Sequence, residues 1–258
     1  MRSIWTGAIG FGLVNIPIKL FSATQESSLD LDMLDKKDLS NIRFMRLNEK
    51  TGKEVSWENI VKGFKIDDRY IVLSDKDFET ANAVKTKLIE ISEFVKADQI
   101  DSMFYETPYY IAPEKSGARA YALLREALVK SNKAAVATFV MRNKETLAIL
   151  RANKDVIILN RIRFAQEIRD TKELDLPKKT EIKPAELKMA ISLIDQLSKN
   201  FDISSYKDTY TEQLMKVIRA KSKGTKPAIP HLRVVHSRAT DLMSQLKASL
   251  RGKAKKAS

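Results

Sequence analysis

The sequence predicts an α+β protein in which a strand-rich body precedes a helical arm. Short segments rich in Val, Ile and aromatic residues recur through the first two-thirds of the chain, at residues 4–21, 42–47, 64–73, 87–91, 103–111, 134–142, 147–151 and 156–160. Glycines and polar turns bound these segments, which is typical of antiparallel strands. Beyond Pro177 the apolar residues instead recur at helical spacing. Residues 1–175 are therefore predicted to form the body and residues 180–221 the arm.

Four segments in the body and arm have the pattern of a helix. Residues 75–83 follow Ser74 as a short helix, and residues 118–130 carry Tyr121, Leu124 and Leu128 on one face. In the arm, one helix begins at Pro184, a residue favoured in the first helical turn, and a second covers residues 207–221. The arm helices have apolar stripes that we expect to form the core of the arm or a dimer contact: Leu187, Ile191, Ile194, Leu214 and Ile218.

Residues 222–258 predict a basic linker, a short amphipathic helix at residues 239–250 and a basic tail. The apolar face of this helix is too small to be stable alone, which suits docking into the groove of a partner. Packing of the same face back onto the body is the alternative. The residues of the face are Leu242, Met243, Leu246 and Leu250.

Composition excludes several classes of site. The 258 residues include two histidines and no cysteine, so disulfides, thiolate zinc sites, iron–sulfur clusters and cysteine nucleophiles are excluded. Asn15, Pro17 and Lys19 interrupt the apolar start, and we expect no signal peptide there. No apolar run is long enough to predict a membrane span. The expected location is the cytoplasm.

The charge is strongly positive and unevenly distributed. The formal net charge is +13. Residues 115–169 hold 12 basic and 4 acidic side chains, and residues 213–258 hold 12 basic side chains against the single acid Asp241. The rest of the chain is slightly acidic. Two separated basic blocks favour a polyanionic partner, nucleic acid in particular.

No pattern for catalysis or for a cofactor is present. Gly7, Gly10 and Gly12 do not match the dinucleotide-binding spacing, and Glu54 stands where a phosphate loop needs Ser or Thr. His231 and His236 are five residues apart in a basic segment, without a supporting acid, which does not indicate a metal site. We therefore predict no catalytic residue, no metal and no cofactor.

Several motifs, in order and over nearly the whole chain, resemble those of bacterial Ku proteins of non-homologous end joining. They are RSIWTGAIGFGLVNIPIKL at residues 2–20, TGKEV at 51–55, IVKG at 60–63, PYYIAP at 108–113, AYALLREAL at 120–128, ELKMA at 186–190, DLM at 241–243 and LKASL at 246–250.

The resemblance implies a Ku-type β-barrel with a strand-built bridge over DNA at residues 28–73 and a C-terminal helical arm that embraces a second subunit. It also implies a function in DNA repair and recombination. A homodimeric ring would thread onto the ends of a double-strand break without reading base sequence and recruit the ATP-dependent DNA ligase D. In bacterial Ku proteins the C-terminal region recruits this ligase, so the resemblance assigns that role to the helix at residues 239–250.

A ring that accepts any sequence needs cations that contact phosphates. In the bridge we expect this role for Lys36, Lys37, Arg43, Arg46, Lys50 and Lys53. In the second basic block we expect it for Arg119, Lys133, Arg142, Lys144 and Arg151.

Two rival functions share some of these features. A general nucleic-acid-coating protein has the same charge pattern but no preference for DNA ends. A metal-dependent nuclease needs paired carboxylates, for which Asp30, Asp32 and Asp35 are the best candidates. The sequence supports an end-binding clamp better than either of these.

Overall fold

A closed seven-stranded β-barrel is the centre of the structure, a computed structural model that describes residues 1–81, 87–142, 144–177, 182–225 and 246. Its strands are β1 (Trp5–Phe11), β2 (Val14–Ser22), β5 (Leu88–Lys96), β6 (Tyr105–Pro113), β7 (Lys133–Met141), β8 (Lys144–Asn153) and β9 (Val156–Ile162). They follow one another around the barrel in the order β1-β2-β6-β9-β8-β7-β5. Neighbouring strands are antiparallel except where β1 pairs with β5 in parallel and closes the barrel.

The barrel core is apolar because every second side chain of each strand points inward. In β2 the side chains of Ile16, Ile18 and Leu20 have no exposed surface, and in β9 the same holds for Ile157 and Leu159. A tight turn joins β1 to β2, and Gly12 supplies its positive φ of 58°.

Helix α2 (Ala118–Ser131) caps one end of the barrel. Its buried side chains Tyr121, Leu124 and Leu128 belong to the same apolar cluster as the barrel interior. The Tyr121 hydroxyl donates a 2.8 Å hydrogen bond to the carbonyl of Ile111, where β6 nears its end. The helix ends at Asn132, whose positive φ of 51° is a common way to terminate a helix.

The strand registers define the opposite end of the barrel, which we call the basic end. It contains the starts of β1, β5, β6 and β8 and the ends of β2, β7 and β9. The indole N–H of Trp5 donates a 3.2 Å hydrogen bond to the carbonyl of Val140 there, and the Trp5 ring meets the Phe139 ring edge-on.

A long connection leaves β2 at the basic end and returns to β5 at the same end. We call it the β2–β5 connection. It contains a two-stranded sheet, β3 (Lys62–Ile66) and β4 (Arg69–Leu73), and helix α1 (Asp75–Ala81). No described residue from 30 to 81 is buried.

Contacts divide the chain into two units, and the second contains the arm. Unit 1 comprises Met1–Glu26 and Asp30–Asp170, and unit 2 comprises Ser27–Leu29 and Thr171–Ser258. Unit 2 contains α3 (Pro184–Leu197) and α4 (Thr209–Ser222). The carboxylate of Asp208 accepts hydrogen bonds from the amides of Tyr210 and Thr211 and so caps α4.

The structure confirms the predicted barrel fold class and the strands of the body, with two corrections in the β2–β5 connection. Residues 42–47 form no strand, and only isolated bridges, Leu34 with Asn41 and Leu47 with Glu54, occur around them. Residues 64–73 are not a single strand but belong to the β3–β4 hairpin, which turns at Asp67 and Asp68 with positive φ. The domain boundaries and the role of residues 28–73 as a bridge remain predictions. In the described ranges, no helix has both the length and the apolar character to cross a membrane.

Candidate nucleic-acid interface

The predicted bridge cations lie on small turns that local hydrogen bonds hold in place. Lys36 and Lys37 are in a turn where the Asp35 carboxylate accepts a 2.8 Å hydrogen bond from the amide of Lys37. The Asp38 carboxylate caps the same turn through Ser40, and these hydrogen bonds lower the pKa of Asp38. The Asp35 and Asp38 side chains therefore hold the turn through these hydrogen bonds, while both lysines are exposed to solvent.

Lys50 and Lys53 lie on the next turn of the connection. The side-chain oxygen of Asn48 accepts a 3.0 Å hydrogen bond from the backbone amide of Lys50. The backbone amide of Asn48 donates a 2.9 Å hydrogen bond to the carbonyl of Lys53. Gly52 completes the turn with φ of 67°, a conformation that glycine adopts without strain. Both lysines are exposed.

Arg46 and Trp57 form a stacked pair on the connection. The guanidinium carbon of Arg46 lies 4.5 Å from the centre of the Trp57 ring, a cation–π distance. The ring remains 72% exposed, and Arg43 is exposed nearby in the chain. The pair therefore presents a cation and an open aromatic face to solvent.

The second set of predicted cations does not form one cluster. Arg142 and Lys144 lie at the basic end, on either side of the turn between β7 and β8. Arg119 is exposed on α2, and Lys133 begins β7, so both are at the capped end. Arg151 is half-buried in β8, where its Nε donates a 3.1 Å hydrogen bond to the side chain of Asn160. Only Arg142 and Lys144 therefore share an end of the barrel with the β2–β5 connection.

Two arginines at the basic end were not among the predicted site residues. Glu106 accepts ion pairs from Arg161 at 3.1 Å and from Arg163 at 3.3 Å. Arg161 follows Ile157 and Leu159 in the inward-facing row of β9. A charged residue in an inward row is unusual, and this break in alternation could have marked it in the sequence.

Glu167 balances part of the positive charge at the basic end. Its carboxylate accepts hydrogen bonds from the amide of Phe164 at 2.9 Å and from the Lys144 ammonium at 3.3 Å. Both hydrogen bonds lower the pKa of Glu167, that of the Phe164 amide more than that of Lys144. Glu167 is therefore ionised at neutral pH and fixes the Lys144 side chain.

The nuclease alternative depends on carboxylates that gather around a metal ion. The described residues contain no group of three or more His, Asp or Glu side chains that could hold a metal ion. Asp35 instead caps its own turn. His231 and His236 lie outside the described residues, as do Leu242, Met243 and Leu250 of the predicted docking face, whereas Leu246 is helical and half-buried.

Comparison with known proteins relates the chain to one family and to several bacterial relatives. The family profile described as the Ku70/Ku80 beta-barrel domain matches residues 10–189. A "Non-homologous end joining protein Ku" of Cupriavidus necator is 41% identical over 85% of this chain and 67% of the relative. The protein of the same name from Opitutus terrae is 39% identical over 86% of this chain and 80% of the relative, and that of Pseudomonas aeruginosa is 37% identical over 98% and 89%. With the closed barrel, these matches show that the chain belongs to the Ku β-barrel family and, within it, to the bacterial Ku proteins.

Proposed function

We propose that the protein binds the ends of double-stranded DNA as a homodimeric ring in non-homologous end joining. In this proposal it is a DNA-binding protein without catalytic activity of its own, and it brings an ATP-dependent DNA ligase, ligase D, to the break. The β2–β5 connection is the observation that carries the proposal. Both its ends attach at the basic end of a Ku barrel, and its cations are exposed.

The exposed cations supply the DNA-binding part of the proposal. Lysines and arginines on the connection and at the basic end can contact phosphates of either strand, and such contacts position a protein without reading bases. The chain has 46 basic residues against 33 acidic ones, which favours a polyanionic partner of any sequence. Passage over an end rather than binding from the side requires that the protein close around the duplex.

Exposed apolar side chains support a homodimer. On the β2–β5 connection Phe44 is 80% exposed and Phe64 is 64% exposed, and on α3 Ile194 is 62% exposed. No residue of α3 or α4 is buried. Large exposed apolar surfaces on a protein in water mark contact sites. A second copy of the chain would cover the same surfaces on both subunits and would close the ring by two-fold symmetry.

The ligase partner rests on the resemblance to bacterial Ku proteins, and the segment proposed for it is residues 239–250. The apolar face Leu242, Met243, Leu246 and Leu250 would dock into the ligase. A pull-down of purified ligase D by the full chain and by its Leu242→Asp variant tests this role. We expect the variant to lose the ligase and to keep DNA binding.

A gel shift at fixed salt tests end binding. It compares an open linear duplex with the same duplex closed by hairpins at both ends. We expect strong binding to the open duplex and weak binding to the closed one, because a closed duplex cannot be threaded. Equal binding to both would overturn the proposal and indicate a general nucleic-acid-coating protein instead.

A further inference from the structure

The basic end of the barrel contains a cavity of about 270 Å³ with cationic walls. At roughly 30 Å³ for each water molecule of the liquid, this space exceeds the volume of several waters. Its described lining residues are Tyr109, Met141, Arg142, Lys144, Thr146 and Arg161. Three of these side chains are cationic, two carry hydroxyl groups and none is a carboxylate. Such a wall favours an anion.

Arg161 is the least exposed cation of this cavity, with 32% of its side chain accessible against 69% for Lys144. It extends the inward row of β9 beyond Leu159, which has no exposed surface. Glu106 pairs with one edge of its guanidinium, at Nη2, but Glu106 also pairs with Arg163. The Nε of Arg161 is buried and has no hydrogen-bond acceptor among the described residues. A charged donor without an acceptor is costly, so Glu106, which Arg161 shares with Arg163, leaves the guanidinium only partly satisfied.

The other walls of the cavity supply further donors. Arg142 forms no ion pair with a described carboxylate, and its side chain is exposed at the mouth. The hydroxyl of Tyr109, a residue only 7% exposed, has no hydrogen-bond partner among the described residues. Thr146 donates a long hydrogen bond, 3.3 Å, to the carbonyl of Lys144. Glu106 and Glu167 hold Arg161 and Lys144 in place from outside the lining.

We propose that this cavity is a binding site for one phosphate group. Planar guanidinium groups bind two oxygens of a phosphate at once, and the ammonium of Lys144 adds a point charge. Arg161 and Arg142 would each bind phosphate oxygens, and the Tyr109 hydroxyl would donate to one of them. The group belongs either to DNA held at the basic end, in which case the site deepens the proposed function, or to a small phosphate compound.

Calorimetric titration of the full chain with inorganic phosphate tests the site, with sodium chloride at matched ionic strength as the reference. We expect saturable binding of phosphate and none of chloride. Arg161→Gln and Arg142→Gln should each weaken phosphate binding at least tenfold, and Tyr109→Phe should weaken it severalfold. Lys130→Gln removes one positive charge from an exposed position on α2 and should change nothing. Because Arg142 is exposed, its variant keeps the test valid if Arg161→Gln does not fold.

Binding of an open duplex by the Arg142→Gln variant distinguishes the two sources of phosphate. If the phosphate belongs to DNA, the variant binds the duplex more weakly and inorganic phosphate competes beyond its ionic strength. If it belongs to a small compound, duplex binding is unchanged while phosphate binding is lost. Absence of saturable phosphate binding, or an equal loss in Arg142→Gln and Lys130→Gln, would overturn the proposal. Comparison of open and closed duplexes remains a separate test of end binding.

Discussion

The backbone amide of Ile157 donates a 2.8 Å hydrogen bond to the side-chain hydroxyl of Tyr121. The same hydroxyl donates to the carbonyl of Ile111, so one phenol joins two adjacent strands and the helix that caps them. Ile111 and Ile157 are themselves a register pair of β6 and β9. The capping helix is thus fixed to the barrel by hydrogen bonds as well as by apolar contact.

Removal of this hydroxyl should destabilise the barrel. In Tyr121→Phe two buried backbone groups lose their partner, and we expect the free energy of unfolding to fall by about 1–3 kcal/mol. Urea unfolding followed by circular dichroism measures the change. Tyr70→Phe, at a residue 72% exposed, is the matched control and should have no effect. If Tyr121→Phe lowered the free energy of unfolding no more than Tyr70→Phe does, water would be replacing the hydroxyl.

Ionisation of Tyr121 should make the stability of the protein depend on pH in the alkaline range. Burial raises the pKa of Tyr121, while the Ile157 amide and Arg125 act in the opposite direction. An unfolded tyrosine releases its proton near pH 10, below the pKa in the folded state, so the stabilising effect is complete below pH 10 and declines above it. We therefore expect the stability difference between the wild type and Tyr121→Phe to shrink as pH rises through 10. Urea unfolding of both proteins at several alkaline pH values measures it, and a constant difference would contradict the raised pKa.

Alternation of apolar and polar side chains was enough to predict most barrel strands, because each strand faces the apolar interior with every second residue. It failed where no interior exists. Residues 42–47 alternate apolar and basic side chains, yet among the residues that the structure describes their only pairing is the isolated bridge of Leu47 with Glu54. The hairpin of β3 and β4 was missed because Asp67 and Asp68 form its turn, with φ of 45° and 62°, in place of the glycine that usually marks such a turn.

The site was predicted less completely than the fold, because a count of cations does not say which strand end they occupy. Arg119 and Arg142 belong to one basic block of the sequence, but the register of the strands separates them to opposite ends of the barrel. Arg161 was missed because the strand predicted there ends at residue 160, whereas β9 continues to Ile162. Its place at the basic end also depends on an ion pair with Glu106, which lies 55 residues earlier in the chain and comes close only in the folded barrel.

Close packing where β1 meets β5 gives a prediction about two glycines. A Cβ atom on Gly7 would overlap the carbonyl oxygen of Lys87 and the ring of Trp5, whereas one on Gly10 would lie 3.4 Å from the flexible side chain of Leu88. We expect Gly7→Ala to lower the free energy of unfolding by about 1–3 kcal/mol, the usual cost of overpacking. Gly10→Ala should be neutral or nearly so. Thermal unfolding measures the stability of both variants. Equal melting temperatures would contradict the close contact of Gly7 with Lys87 and Trp5.

The exposed stripe of α3 should control the oligomeric state. A carboxylate in place of Ile194 would face an apolar partner surface in the proposed homodimer, and Ile194→Asp should therefore shift the protein towards the monomer. Sedimentation velocity over a range of concentrations measures the shift. Ser192→Asp adds the same charge on the polar side of the helix, where the Ser192 hydroxyl donates to the carbonyl of Lys188, and should remain dimeric. Dissociation of both variants to the same degree would show that charge, and not the apolar stripe, matters.

Phosphate contacts of the β2–β5 connection should appear in the salt dependence of DNA binding. Each contact that is lost reduces the slope of log affinity against log salt concentration by about 0.9, since fewer counterions are released. Arg43→Gln should therefore weaken binding of an open duplex and lower this slope by about one unit, for any base sequence. Lys130→Gln changes the net charge equally but lies on α2, where its side chain pairs with Glu126 at 3.6 Å. An equal fall in slope for both variants would mean that the connection contributes only net charge, and Arg43 would no longer be assigned to the DNA-binding surface.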